Sequence, residues 1–600
     1  MGYLNLCECV NDLRRVGELV EYSGFVDPYL ELAAVQRRLY LLGAPAVLFT
    51  NLRNCEFPAL SNLFGTERRI NYIFRDGIEP LRNAIELGSD PVSLLSYRVK
   101  LRSMFSFGFG ALLSFYYSCP RRVSCKRAPV LFCRTALDKL PQLVSWSGDG
   151  GAYITLPLVY TEDPDRPGLG ASNLGMYRVQ ISGNDYLPNV EAGLHYQIHR
   201  GIASHHLAAL RRGEELRVNI FIGGAPAMIL AAVMPLPEGV SELFFAGILG
   251  RRRVPFCNGG IYAEADFCIC GRLGAAMKVE GAFGDHLGYY SLSHEFPVLK
   301  VDAVWRRKDA IFPFTVVGRP PQEDSQFGRF IHNLVSGVVP RKIAGLAAVH
   351  AVDEAGVHPL LLALGRESYV PFDKKRRAAE LHTIAHAILG YGQLSLAKYL
   401  FIASKDDDSR LDVYDVVGFL RHILLRVDWR RDVHFVTETN ADTLDYSGYL
   451  GGELNRGSKM FVAVSGEPVR ELSDSLEGVI PCDNPRVVMP GILCVEGIVG
   501  LGSGNLRAKD FPAGFPLIVI VDDANEAAAS LRNFLWTTFT KSDPASDIYG
   551  VGEFSYNKHW GCEGALIINA KRKKHHAPEL IETPEIKTKA DNIVQKIMKK

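Results

Sequence analysis

An amide, an imidazole and a carboxylate that could share one hard cation stand in three short stretches of this chain. Asn173 lies in SNLGMYR (172–178), His199 in LHYQIHRG (194–201) and Glu242 in PEGVSELFFAG (237–247). A mixed oxygen and nitrogen set favours Mg²⁺ or Mn²⁺ over zinc and keeps open positions that a phosphate can fill. A fourth stretch, EGAFGDHLGYY (280–290), carries Glu280 and Asp285 across a glycine-containing turn, and Arg178 closes the first. Arginine offers a planar fork to a carboxylate. Two acids in one pocket do not ionise together easily, so one of them is expected to stay protonated as a proton donor.

Elements must bring these pieces together. Residues 1–125 mix helical periodicity over 30–42 with a short apolar run, AVLFT (46–50), and a loop-to-helix signal, SNLFGTERR (61–69), which together predict an α/β segment. Residues 126–350 change character. The β-rich runs PVLFC, AYITLPLVY, YRVQIS, LRVNIFIG, FPVLKVDAVW and AIFPFTVVG recur between Gly and Pro, a spacing that suits a barrel or sandwich. From 351 to 600, strands alternate with helices in an α/β domain, ending in a terminal helix that could dock on a neighbouring subunit. KYLFIASKDDD (398–408) runs into an amphipathic helix, and PLIVIVDDANEAAASLRNFLWTTF (516–539) resembles it. At an offset of 115, Asp407/Asp522, Asp408/Asp523, Phe419/Phe534, Leu420/Leu535, Asp428/Asp543 and Asp432/Asp547 coincide. Segments 398–435 and 516–550 are either an internal duplication or two independent strand–helix units.

The bulk numbers exclude some classes of function. Lys+Arg 67 against Asp+Glu 66 leaves no charge to drive nucleic-acid binding. The apolar stretch 220–236 is broken by Gly223, Gly224, Pro226 and Pro235, so no membrane span is expected. Twelve cysteines without a CxxC pair, and an N-terminus without a signal-peptide pattern, point to a reducing cytoplasm. His382 and His386 are spaced i, i+4 on a helix, a spacing that can bind metal, but no HExxH glutamate accompanies them, and a packing role is expected. The adjacent His205 and His206 receive no role. Asp406–Asp408 is expected to cap the helix that follows.

The motifs resemble the UbiD family of prenylated-flavin decarboxylases along the whole chain. DLRRVGELVEYSGFVDPYLELAAVQRR, GAPAVLFTNL and SNLFGTERR carry the likeness at the N-terminus. SNLGMYRVQ, LHYQIHRG, MPLPEGVSE with FFAGIL, EGAFGDHLGYY, FPVLKV and TVVGRPPQED carry it in the centre, and KYLFIASKDDD with GSKM carries it beyond. Ala282 and Asp285 stand where many members have Pro and Glu.

The resemblance implies an α+β fold. Its core would be a flavin-reductase-like split β-barrel, flanked by the N-terminal α/β segment and the C-terminal α/β domain, in dimers or hexamers. It implies that Asn173, His199 and Glu242 hold Mn²⁺ at the phosphate of prenylated FMN, with His195 as the alternative imidazole. Carbonyls of Leu174, Ala231, Ala232 and Met234 would hold K⁺. Met176, Tyr177, Arg178, His195, Tyr196, Gln197, Arg200 and Gly201 would contact the cofactor, and Arg178, Glu280 and Asp285 would be catalytic. Arg178 would orient the substrate carboxylate through its bidentate fork. The implied reaction is decarboxylation of a hydroxyaryl acid of the 4-hydroxy-3-polyprenylbenzoate type in ubiquinone biosynthesis, with a flavin prenyltransferase supplying the cofactor. A polyprenyl substrate would bring peripheral membrane contact. The rivals are a naphthoate-type menaquinone precursor as substrate, the reverse carboxylation, and a non-catalytic family member.

Overall fold

The computed structural model describes residues 2–89, 110, 112–196, 201–234, 236, 240–335, 339–368, 378–448, 455–476, 481–502 and 506–599. They fall into two compact units. One comprises Met1–Gly318, Gln322–Val335 and Glu579–Lys600, and the other comprises Arg319–Pro321 and Ser336–Pro578.

The first unit opens with the helix Leu6–Arg15. The Asn5 side chain caps it by accepting the N–H of Glu8 at 3.0 Å, and Leu6, Cys9, Val10 and Leu13 form its buried stripe. The apolar run at 46 forms the strand Ala46–Phe49, flanked by Leu19–Tyr22 and Ala59–Ser61. AIFPFTVVG contributes only Phe312–Pro313, which pairs with Ala59 and Leu60 in this small sheet. The C-terminal helix Pro584–Met598 belongs to this unit. Arg37 and Arg38, from the helix Glu31–Leu41, meet Glu582 just ahead of it at 2.6 and 3.0 Å.

Among the described residues the central sheet has nine strands. They are β1 (Cys133–Thr135), β2 (Tyr153–Ile154), β3 (Pro157–Glu162), β4 (Ser172–Gly175), β5 (Arg178–Gln180), β6 (Glu191–His195), β7 (Leu216–Ile222), β8 (Phe267–Glu280) and β9 (His294–Arg306). Their order is β2-β5-β6-β9-β8-β7-β3-β4, with β1 also on β9, and the path does not close into a barrel. The run PVLFC yields a short 3₁₀ turn, Pro129–Leu131, before β1, because Pro129 has no N–H to give a sheet. The fold is mixed α/β.

Among the described residues the second unit has two five-stranded sheets. In one the order is Leu346–Ala351, Leu360–Gly365, Tyr399–Ser404, Arg456–Val464, Val433–Asn440. In the other it is Arg486–Met489, Ile492–Val495, Leu517–Ile520, Leu566–Asn569, Ile548–Gly550. Each sheet has a parallel central triplet with an antiparallel strand at either edge. Residues of both sheets contribute to one apolar cluster. Asp406–Asp408 do not cap the helix Val416–Arg426. Asp415 does, accepting the N–H of Gly418 at 2.9 Å. Asp407 instead accepts the N–H of Gly466, just past a sheet strand, at 2.8 Å.

Candidate active site

Strand pairing assembles an acid–arginine–acid group. Arg178 on β5 lies opposite His195 on β6, β6 pairs with β9, and Glu280 ends β8 opposite His294 of β9. Arg178 Nε donates to Glu280 Oε1 at 2.8 Å and Nη2 to Oε2 at 2.6 Å. Nη1 donates to Ser291 Oγ at 3.0 Å and to Asp285 Oδ2 at 3.3 Å. Nη2 also meets His195 Nδ1, whose ring stacks on Phe296 with centroids 3.6 Å apart. The guanidinium lies 4.9 Å over the Phe283 ring, and Phe283 packs against Tyr153 at 4.6 Å. The three sequence-predicted catalytic residues are therefore in contact.

Electrostatics change the expectation that one acid stays protonated. Burial pushes Glu280 up, but the hydrogen bond to His195 and the Arg178 charge outweigh it and leave its carboxyl below the ordinary range. Burial likewise raises Asp285, and His286, at 3.0 Å from Asp285 Oδ1, together with Arg178 brings it below the ordinary range. Each acid has its own cationic or donor partner, so like-charge repulsion does not decide the outcome. His195 is driven down by burial first and then by the neighbouring Arg178 charge, which leaves it neutral at pH 7. The expected use of the Arg178 fork changes too. Glu280 fills the fork, and only Nη1 faces Asp285 and Ser291.

Two of the expected cation ligands lie on neighbouring elements. Asn173 sits on β4, and Glu242 is the first residue of the helix Glu242–Gly250. Ser241 caps that helix and shares a 3.0 Å hydrogen bond with Ser172, which ties its start to β4. Glu242 Oε2 accepts the N–H of Leu174 at 2.8 Å. A Cβ on Gly201 would come within 2.3 Å of Asn173 Oδ1, so only glycine lets the helix Gly201–Arg211 start against that amide. Burial raises the Glu242 carboxyl, opposed only by backbone N–H groups. A desolvated carboxylate and an amide oxygen are donors of the kind a hard divalent cation takes, and such an ion would supply positive charge to Glu242.

His199, Gln197 and Arg200 lie outside the described residues. His195 Nδ1 is engaged in the acid group. Among the K⁺ positions, the Ala232 carbonyl accepts the N–H of Met176 at 3.0 Å and the Ala231 carbonyl that of Met234 at 3.1 Å. These bonds place Leu174–Met176 beside 231–234 and leave each carbonyl a second lone pair. Tyr177 hydrogen-bonds Asn173 at 3.2 Å and meets the Tyr196 ring edge-on at 6.3 Å. Tyr196 in turn bonds His206, and His205 bonds Thr161 at 2.9 Å, so the two adjacent histidines do point to different partners. On the opposite face of β3 and β4 from Asn173 lies a separate cleft of about 380 Å³, lined by Tyr160, Glu162, Asn219 and Cys257.

Sequence reasoning missed several members. Ser291 and His286 sit within or beside EGAFGDHLGYY, where adjacency to Asp285 was the available signal. Asp149 had none beyond an acid among glycines. Its Oδ2 accepts the N–H groups of Ser145 and Trp146 at 3.0 and 2.9 Å, and its Oδ1 accepts Gly284 at 2.8 Å, which pins the turn before Asp285. Burial lifts its carboxyl to about 6 against those hydrogen bonds. Tyr153 donates to the Ala282 carbonyl at 3.1 Å from the other side of the same turn.

Three models of one family match: the 3-octaprenyl-4-hydroxybenzoate carboxy-lyase N-terminal domain over residues 10–88, its Rift-related domain over 121–320 and its C-terminal domain over 325–464. The chain belongs to this UbiD family and is a carboxy-lyase, a decarboxylase, with it. It is 34% identical over 594 residues to a 4-hydroxybenzoate decarboxylase polypeptide of Chlamydia pneumoniae, covering 95% of this chain and 94% of that one. Its fold is similar to that of the closed form of the Sedimentibacter hydroxybenzoicus vanillic acid decarboxylase, with a TM-score of 0.63, 18% identity, and coverage of 80% of this chain and 96% of that chain. It is also similar to the UbiD-class enzyme HmfF of Pelotomaculum thermopropionicum in complex with FMN, with a TM-score of 0.60, 20% identity, and coverage of 85% and 100%. Among the described residues no helix is long and apolar enough to cross a membrane.

Proposed function

We propose that the chain is a prenylated-FMN- and Mn²⁺-dependent non-oxidative decarboxylase of a hydroxyaryl carboxylic acid, of the 4-hydroxy-3-polyprenylbenzoate type, acting in quinone biosynthesis in the cytoplasm. The observation that carries this reading is the grip of Glu280 and Asp285 on Arg178, five residues along the chain from Asn173. The hydroxybenzoate name of the Chlamydia pneumoniae relative supports the substrate class, and the flavin in HmfF supports the cofactor. On this reading the open central sheet is the split barrel of a flavin-binding core.

Asn173 and Glu242 would hold the Mn²⁺ with His199, and Met176, Tyr177, Tyr196 and Gly201 would line the flavin. The carbonyls of Leu174, Ala231, Ala232 and Met234 would hold K⁺ beside it. The bound cofactor would supply the electron sink for C–CO₂ cleavage. Arg178 Nη1 attracts the substrate carboxylate while Glu280 keeps the guanidinium from turning. Arrival of that carboxylate adds a negative charge beside Asp285 and draws on the Arg178 charge, and both effects raise the Asp285 pKa. Asp285 then takes up a proton and delivers it to the carbon that loses CO₂. One C–C bond is exchanged for one C–H bond.

The second five-stranded sheet is read as a duplicate of the first, and the C-terminal part as the oligomer-forming region of a homo-oligomer. Identical strand order supports the duplication. So do matching bonds: Asp428 N–H donates to Asp432 and Asp543 N–H to Asp547, both at 2.7 Å.

The test is co-expression with a flavin prenyltransferase, anaerobic purification, and measurement of cofactor mass, metal content and CO₂ release. Prenylated FMN, Mn²⁺ and release from 4-hydroxybenzoates would sustain the reading. Release only from naphthoate acids would move the substrate. A chain that stays empty would overturn the cofactor assignment.

A further inference from the structure

Side-chain partners hold Asp285 loosely. Arg178 gives its fork to Glu280 at 2.8 and 2.6 Å, while its bond to Asp285, from Nη1 to Oδ2, is longer at 3.3 Å. The other partner, His286, is the next residue in the chain and moves with the same turn. Proton delivery needs heavy atoms within about 3 Å of each other. Placement of Asp285 therefore falls to its backbone.

That backbone is gripped by one short segment of chain, Asp149 to Tyr153. Asp149 Oδ1 accepts the N–H of Gly284 at 2.8 Å. The Gly150 N–H donates to the Ala282 carbonyl at 2.7 Å, and Tyr153, which begins β2, donates its hydroxyl to the same carbonyl at 3.1 Å. Gly284 is joined directly to Asp285, so among these anchors Asp149 holds the turn nearest the acid.

The second oxygen of Asp149 makes it a fixed point. Oδ2 accepts the N–H groups of Ser145 at 3.0 Å and Trp146 at 2.9 Å, and the Asp149 N–H donates to the Trp146 carbonyl at 3.0 Å. These bonds close the loop 145–149 on the carboxylate, which cannot turn to follow Gly284. Trp146 is itself held. It is buried, its Nε1 donates to the Val317 carbonyl at 2.9 Å, and the Arg37 guanidinium lies 3.9 Å over its ring. A Cβ on Gly284 would come within 2.1 Å of Trp146 Cδ1, so only glycine lets the turn approach this loop. Both oxygens of Asp149 are engaged by backbone N–H groups, which makes it a support for Asp285 and not a second proton carrier.

We propose that Asp149 is a positioning residue for decarboxylation, which fixes Asp285 beside Arg178 Nη1 through the Gly284 N–H. This role rests on Asp285 being the proton donor. Substrate binding is left to the Arg178–Glu280 pair, which the pairing of β8 with β9 holds in place.

Asp149→Asn replaces one acceptor with an NH₂ donor. With the amide oxygen on Ser145 and Trp146, the NH₂ faces the Gly284 N–H; with the oxygen on Gly284, the loop loses both its bonds. Either way Asp285 loses its fixed support. The first readout uses the full chain without cofactor or turnover. The N–H groups of Asp285 and Gly288 bond within the same turn, to Tyr289 and Asp285. Amide hydrogen exchange followed by mass spectrometry should therefore quicken over 281–288 by on the order of tenfold in Asp149→Asn, with peptides over β7 unchanged.

The second readout is a double-mutant cycle with Asp285→Asn in protein co-expressed with a flavin prenyltransferase, with CO₂ release measured from 4-hydroxybenzoate and from hydroxynaphthoate acids. Asp149→Asn should lower kcat per bound cofactor by about 10- to 10²-fold with KM nearly unchanged. In the Asp285→Asn background the same change should cost less than about threefold, because the donor it positions is already gone. Equal costs in the two backgrounds, full turnover in Asp149→Asn, or exchange over 281–288 like that of the wild type would each overturn the proposal. Full turnover in Asp285→Asn alone would instead remove the donor assignment, and the role of Asp149 with it.

Discussion

Arg178 spends its bidentate fork on Glu280, Nε to Oε1 at 2.8 Å and Nη2 to Oε2 at 2.6 Å, keeps Nη2 against His195 as well, and presents Nη1 to Asp285 and Ser291. Glu280 is fully buried, so the pair is desolvated and held by geometry. A side chain so fixed cannot swing to meet a substrate. It is a preset anchor, and the substrate must come to Nη1, where Asp285 and Ser291 already converge.

Arg178→Lys keeps the charge and loses the fork. The ammonium can reach Glu280 or Asp285 but cannot hold both in one plane. The expected outcome is a fall in kcat, taken per bound cofactor, on the order of 10²-fold or more from misplacement. The melting temperature should also drop, because Glu280 loses one of the two guanidinium N–H bonds it accepts. Equal turnover in the variant, measured as CO₂ release, would show that the fork is not needed.

Asp285→Asn separates proton delivery from binding. Asparagine keeps the size and can still accept from the His286 N–H, which meets Asp285 Oδ1 at 2.7 Å. It has no proton to deliver at useful pH. Turnover should fall by about 10²- to 10⁴-fold while substrate affinity and flavin absorbance hold. Single-turnover experiments in deuterated buffer sharpen the test, since the wild type should place deuterium at the vacated carbon. Full turnover in Asp285→Asn would remove Asp285 as the donor.

Much of this site is legible because its members sit in short motifs on strands that pair. The helix Glu31–Leu41, within the periodic stretch 30–42, and the strand Ala46–Phe49, within the apolar run 46–50, follow from local pattern alone. Arg178, Glu280 and Asp285 share a pocket through long-range register, and resemblance stands in for that register. His195 shows where such reading stops. Its place beside Arg178 and on Phe296 depends on β6 pairing with both β5 and β9, which no periodicity reveals. The expectation of a protonated acid fails for a similar reason. The Arg178 fork on Glu280 and the His286 contact to Asp285 are partners that spacing cannot show. Asp407 reads as a helix cap because acids before helices usually are caps, yet its carboxylate ties down the N–H of Gly466. Asp522, at the offset of 115, does the same for the N–H of Arg572 at 3.0 Å.

Glu242→Gln tests the hard-cation site. The amide keeps an oxygen but no charge, so a divalent ion loses its one anionic protein ligand. Metal analysis of the co-expressed protein should show Mn²⁺ reduced by on the order of tenfold or more, with flavin content falling alongside it. The fold should hold, because burial of the uncharged amide relieves the desolvation that raises the Glu242 carboxyl. Normal Mn²⁺ and flavin in the variant would locate the cation elsewhere.

Acid sensitivity should trace in part to His422. It lies on the helix Val416–Arg426, is 6% exposed, and has a buried Nε2 with no hydrogen-bond partner. Burial, then the Arg426 charge, lowers its pKa to about 4, with Asp408 opposing. In the unfolded chain a histidine titrates near 6.5. Between these values the unfolded state binds a proton that the folded state refuses, so stability rises with pH there. The contribution is complete above about 6.5 and is lost as pH falls toward 4. At pH 5 the loss for one such group amounts to about 2 kcal/mol relative to pH 7. His422→Phe cannot bind the proton in either state and should lose that much less stability over the same interval. Urea unfolding at both pH values, followed by the fluorescence of Trp429, which is buried in the same apolar cluster as this helix, gives the comparison. Equal losses in the two proteins would show that His422 does not set the acid limb.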